Sequence, residues 1–154
     1  MKTRIYGNDK KRITNSELKL ALEYYMNMLF KDKPEKLDFI EINVRLTDLN
    51  GDYDGLVLNV DECNEEFEIE LDKSLGKRKL LVALAHECVH IKQFIKGELV
   101  CYGTNAIKWK RKIYTYDEAT YWDLPSEIEA HGKELGLYVR FRTYKNKFNI
   151  KFAT

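Results

Sequence analysis

Between Lys77 and about Lys96 the chain carries its longest apolar pattern at helical spacing, and this stretch constrains the fold more than any other. Leu80, Leu81, Leu84, Cys88, Ile91 and Ile95 fall within one broad face, so a helix here must bury one side against a core. Gly97 follows at the position where a helix C-cap favours left-handed backbone. Inside the run sits His86-Glu87-Cys88-Val89-His90. Residues four apart lie one turn apart on the same helical face, so both imidazoles can reach a single ion. Glu87 stands beside them, placed to take a proton from an attacking water without itself being a ligand. Cys88 turns to another face and reads as a buried structural thiol.

The remaining pattern frames that helix. Leu18, Leu22, Tyr25, Met26 and Leu29 predict a first helix over 14–30, with Thr14 or Ser16 as its cap. Three β-like runs follow at 39–46, 55–60 and 67–71, separated by the turn signals Asn50-Gly51 and Asp54-Gly55, which suggest a meander or hairpins. The stretch 99–122 reads as a loop with at most one short hairpin. A last helix is expected over 124–141, capped by Asp123 with Pro125 in its first turn. The tail KFNIKFA (147–153) either adds a short strand or frays. Helix, strands, helix, loop and helix make an α+β domain with a small sheet of about three strands.

A length of 154 residues, with 44% hydrophobic and 33% charged, suits one domain spanning 1–154 that buries its own core. The three cysteines, Cys63, Cys88 and Cys101, form no CxxC pair and no disulfide framework. No apolar run approaches the ~20 residues of a membrane span, and the first residues lack the apolar stretch of a secretory signal. These features predict a cytoplasmic protein with no membrane partner. A formal net charge of +1 gives no global reason to expect nucleic acid. Two local basic segments remain, Lys108, Lys110, Arg111 and Lys112 with Trp109 and Tyr114, and the tail from Arg140 with Lys145, Lys147 and Lys151. Nucleic-acid association through them is an open expectation.

A catalytic zinc needs a third protein ligand. Gln93 and Lys96 stand where a HExxHxxGxxH pattern would place Gly and His, so the ligand must come from a later element. Glu127-Ile-Glu129-Ala130-His131 resembles the E-x-x-A-D/N segment of HExxH peptidases whose third ligand is a helical glutamate, the gluzincin-like group. That resemblance implies Glu127 as the ligand, with His131 where the group has Asp or Asn. Glu129 is the rival ligand and Glu134 a more distant one. Together with HECVHIKQFIKGEL, the segment is also similar to small SprT-like and phage-encoded metallopeptidases predicted from sequence. These likenesses cover about the second half of the chain.

They imply a minimal zincin, with one Zn2+ on His86, His90 and Glu127, Glu87 as general base, and a peptide or protein substrate. His131 is expected to hydrogen-bond a ligand or, with Tyr138 or Arg140, to donate to the oxyanion. Gln93 lines the cleft or packs. The alternative is a catalytically silent, zinc-stabilised binding or regulatory module.

Overall fold

The computed structural model describes residues 1–152. Strand β1 (Lys2–Tyr6) leads into helix α1 (Asn15–Leu29), followed by a short 3-10 turn and strands β2 (Glu41–Thr47), β3 (Gly55–Asn59) and β4 (Glu66–Asp72). Helix α2 (Lys77–Ile95) comes next, then β5 (Leu99–Cys101), β6 (Ala106–Trp109), β7 (Lys112–Thr115) and helix α3 (Pro125–Lys147). The strands form a four-stranded mixed sheet, ordered β1-β2-β4-β3, and a three-stranded antiparallel sheet, β5-β6-β7.

The expected sheet of about three strands in a meander is therefore corrected. β1, β2 and β4 run parallel, and only β3 is antiparallel, paired to β4 at the edge. The Asn50-Gly51 turn does form, with left-handed φ at both residues. It does not close a hairpin, because β4 lies between β2 and β3. β1 escapes pattern reading because Lys2 and Arg4 lie exposed on an edge strand that buries no residue fully. The expected loop over 99–122 instead holds β5–β7, whose three- and four-residue strands are too short to show a period.

The sheet presents Ile42, Val44, Leu46, Phe67, Ile69 and Leu71 to the helices, in register across β2 and β4, and all are buried. Against them lies the predicted apolar face of α2, whose Leu80, Leu84, Cys88 and Ile91 are 0–1% exposed. Thr14 caps α1 by accepting from the Glu17 amide at 3.1 Å. Lys96 and Gly97 end α2 in a Schellman motif, with Gly97 N–H donating to Phe94 and Glu98 N–H to Gln93.

α3 runs antiparallel to α2 and continues to Lys147 rather than stopping near 141, because Tyr144 finds a partner in Tyr24 at 5.0 Å. Its N-cap is Leu124, with Pro125 at the first helical position as expected. Asp123 sits in the preceding 3-10 turn and caps nothing. The tail adds no strand over 148–152, and residues 153–154 of the expected segment lie outside the described residues. Among the described residues no helix is long and apolar enough to cross a membrane.

Candidate metal centre

α2 and α3 are the two elements that build the centre. Spaced one turn apart on α2, His86 and His90 place their Nε2 atoms 3.0 Å apart. α3 can approach because Ala130, with no exposed surface, leaves only a methyl group between the helices. Its first turn delivers Glu127, whose Oε2 lies 3.3 Å from His86 Nε2 and whose Oε1 lies 3.2 Å from His90 Nε2. Two bonds of about 2.0–2.1 Å at a tetrahedral angle separate their donor atoms by about 3.3–3.4 Å. The Nε2–Nε2 separation of 3.0 Å, and the 3.2 and 3.3 Å from each nitrogen to its own Glu127 oxygen, are close to that length.

The partners of the other ring nitrogens decide what those Nε2 atoms offer. His86 Nδ1 faces Glu134 Oε2 at 2.8 Å, and a carboxylate only accepts, so Nδ1 carries the proton. His90 Nδ1 faces Gln93 Oε1 at 2.9 Å. The Gln93 amide is fixed that way round because its nitrogen donates to Ser126 O at 3.0 Å and to Glu129 Oε2 at 2.9 Å. In the neutral imidazoles both Nε2 atoms therefore present lone pairs, and they point at each other and at a carboxylate. Three acceptors converging in a buried place repel unless a cation lies among them. A metal ion or a proton meets that need, and the donor set of two imidazoles and one carboxylate suits zinc.

The titration behaviour follows from the same geometry. Burial disfavours a charged His86, but Glu127 and Glu134 outweigh it and raise its pKa to about 10. His90 is raised in the same way, burial being overcome by Glu127 and Glu87. For Glu127 burial works against ionisation, yet both histidines and Tyr121 hold the carboxylate well below its ordinary range. Glu87 contrasts with it. It is 5% exposed, and burial pushes it up to about 7 despite the two histidines nearby. Its Oε1 abuts the first residue of β3, where a Cβ on Gly55 would come within 3.2 Å.

The rival acids have other partners. Glu129 binds Lys92 Nζ at 2.7 Å and Gln93, so it braces the support of His90 from behind and stays out of the ligand set. Glu134 orients His86 and also meets His131 Nδ1 at 3.2 Å. His86, His131 and Glu134 form a second group of close metal-capable atoms that shares His86 with the first. His131 itself is exposed and packs between the His86 and Trp122 rings, at 4.5 and 5.1 Å.

Tyr138 shares a helical stripe with Glu127, but eleven residues of rise carry it about 16 Å along the axis. It lies buried beside Arg78 and Arg142 instead. Tyr121, which the sequence did not single out, donates its hydroxyl to Glu127 Oε1 at 2.8 Å. A tyrosine in a three-residue 3-10 turn carries no periodic signal. Lys110 and Lys112 lie over the rings of Trp109 and Tyr114 on the β6–β7 hairpin.

No family model matches the chain, and the searches of curated proteins and of solved structures gave no match.

Proposed function

We propose that this chain is a zinc-dependent hydrolase of peptide bonds in which His86, His90 and Glu127 hold the metal and Glu87 is the general base. The observation that carries the reading is the convergence of His86, His90 and Glu127 donors within reach of one ion, with a protonatable carboxylate on the adjoining residue of the same helix. Zinc bound there supplies a Lewis acid that polarises a carbonyl and acidifies water.

The protein's own groups supply the rest. Glu87, with a pKa raised toward neutrality, accepts the proton of the attacking water and returns it to the leaving amine. Glu134 and Gln93 keep each imidazole in the tautomer that offers Nε2, and Tyr121 fixes the rotation of the Glu127 carboxylate. β3 pairs with β4 on one side only, and a Cβ at its first residue would come within 3.2 Å of Glu87 Oε1. An extended peptide can add to that edge and bring a backbone carbonyl toward the metal, which favours a peptide over other substrates.

The experiment is hydrolysis of a mixed peptide library by zinc-loaded protein, with Glu87→Gln as control. Cleavage that disappears in the variant while zinc stays bound supports the reading. A protein that binds zinc and cleaves no peptide is instead a metal-stabilised binding module.

A further inference from the structure

Helix α2 starts against its own charge preference. Its N-cap, Gly76, offers no side-chain cap, and its first turn contains no acid but instead Lys77, Arg78 and Lys79. The N-terminal end of a helix carries roughly half a positive charge, so each added cation there is unfavourable. All three are exposed, and among them only Lys77 pairs with a buried acid, Glu17 of α1.

Next to this turn lies a cavity of about 330 Å³ between α1, α2 and the C-terminal half of α3. Lys77, Arg78, Arg142 and Lys145 line it, opposed by one carboxylate, Glu17. Glu17 is 3% exposed and pairs with both lysines, so it anchors their ammonium groups at the wall. Burial alone would raise its pKa, but Lys145 and Lys77 outweigh burial and keep it ionised. Both arginines lie near Tyr138, with guanidinium carbons 5.9 and 6.0 Å from the ring centroid. Neither makes an ion pair or a side-chain hydrogen bond among the described residues, so their forks of donors are unspent. Leu81, Tyr138 and Phe141 give the same cavity an apolar wall.

We propose that this cavity binds a phosphorylated small molecule, its phosphate held by Arg78 and Arg142 and its body lying on the Leu81–Tyr138–Phe141 wall. Planar guanidiniums suit the oxygens of a phosphate, which each can bind in paired fashion. The positive end of α2 adds to the attraction. The size is at the lower end of small-molecule sites, which run from about 300 Å³ upward, and fits a mononucleotide better than a long polyanion. The cavity shares no lining residue with the metal centre, and Arg78 lies eight residues before His86 on α2, about 12 Å along the axis. It therefore stands or falls independently of the hydrolase reading.

Calorimetric titration with AMP, pyrophosphate and a short single-stranded oligonucleotide tests it. The full zinc-loaded chain, its Arg78→Gln/Arg142→Gln variant and the zinc-free Glu127→Ala variant are compared. The expected result is saturable one-to-one binding of AMP or pyrophosphate that survives in Glu127→Ala and weakens about tenfold or more in the double variant. Both arginines are exposed, so the double variant should fold, and an unchanged zinc content and melting temperature verify that. Failure of both small probes to bind overturns the proposal. So does binding that the double variant retains, binding lost with Glu127→Ala, or binding of the oligonucleotide alone.

Discussion

A proton and a metal ion must compete for the space between His86, His90 and Glu127. In the metal-free protein His86 has a pKa of about 10, because Glu127 and Glu134 outweigh its burial. At pH 7 that lies about three units above the solution pH, so roughly one molecule in a thousand has the His86 Nε2 lone pair free. Zinc must expel the proton, which weakens its apparent affinity at pH 7 by about 10³-fold, or about 4 kcal/mol, relative to the unprotonated site. The apparent Kd should then tighten about tenfold per pH unit between pH 7 and 9 and level off above about 10.

Chelator competition across that range measures the slope, and calorimetry in buffers of different ionisation enthalpy counts about one proton released per zinc. The stability of the metal-free protein has a definite sign. A histidine whose folded pKa lies above its unfolded value of about 6.5 stabilises the fold fully below that pH, and the contribution is lost as pH rises toward about 10. Zinc-loaded protein should not show this loss. A zinc Kd that is flat between pH 7 and 9, with no proton released, would refute the convergence of lone pairs on which the metal assignment rests.

Four further outcomes follow from the geometry. Glu134→Gln removes the carboxylate that orients His86 and should weaken zinc binding by about 10–100-fold without unfolding the protein, as read by chelator competition and circular dichroism. Gly55→Ala places a methyl 3.2 Å from Glu87 Oε1 and 3.0 Å from Leu71 Cδ2. Peptide hydrolysis should fall about tenfold or more while zinc content is unchanged, since β3 or Glu87 must shift. On the proposed hydrolase reading the acid limb of kcat/KM would belong to Glu87, which must be ionised to act as base. It should lie below the metal-free pKa of about 7, because the metal's charge favours the carboxylate, and Glu87→Gln should abolish it. Leu84→Ala empties a position with no exposed surface and should cost about 3 kcal/mol, a drop of about 6–12 °C in Tm.

The two halves of the chain differ in how openly their sequence reveals their structure. α2 was legible because a long amphipathic run, a paired-histidine motif and a C-capping glycine agree over nineteen residues. α1 was legible from its apolar spacing, and of the two expected caps, Thr14 and Ser16, Thr14 is the one used. The sheet was less so. Its order depends on contacts between residues far apart in sequence, and no local signal tells Gly55–Asn59 to pair beyond β4 rather than with β2.

At the centre, the stripe of α3 brings Glu127 and Glu134 toward α2, a consequence of helical spacing. The roles of Glu134 and Gln93 depend on which nitrogen of each ring they face, which spacing does not specify. Tyr121 and the Gly55 contact come from irregular segments and strand ends, where tertiary packing decides position. Tyr138 shows the limit of a stripe argument, because a shared face does not mean a shared height along the helix.

Elemental analysis of zinc in protein dialysed after loading tests the central claim most directly, comparing the unaltered chain with His86→Ala and Glu127→Ala. The geometry predicts about one zinc per chain, lost in both variants, while Glu129→Ala keeps it. Folded protein that takes up no zinc, or that retains it after Glu127→Ala, would contradict the three-ligand centre.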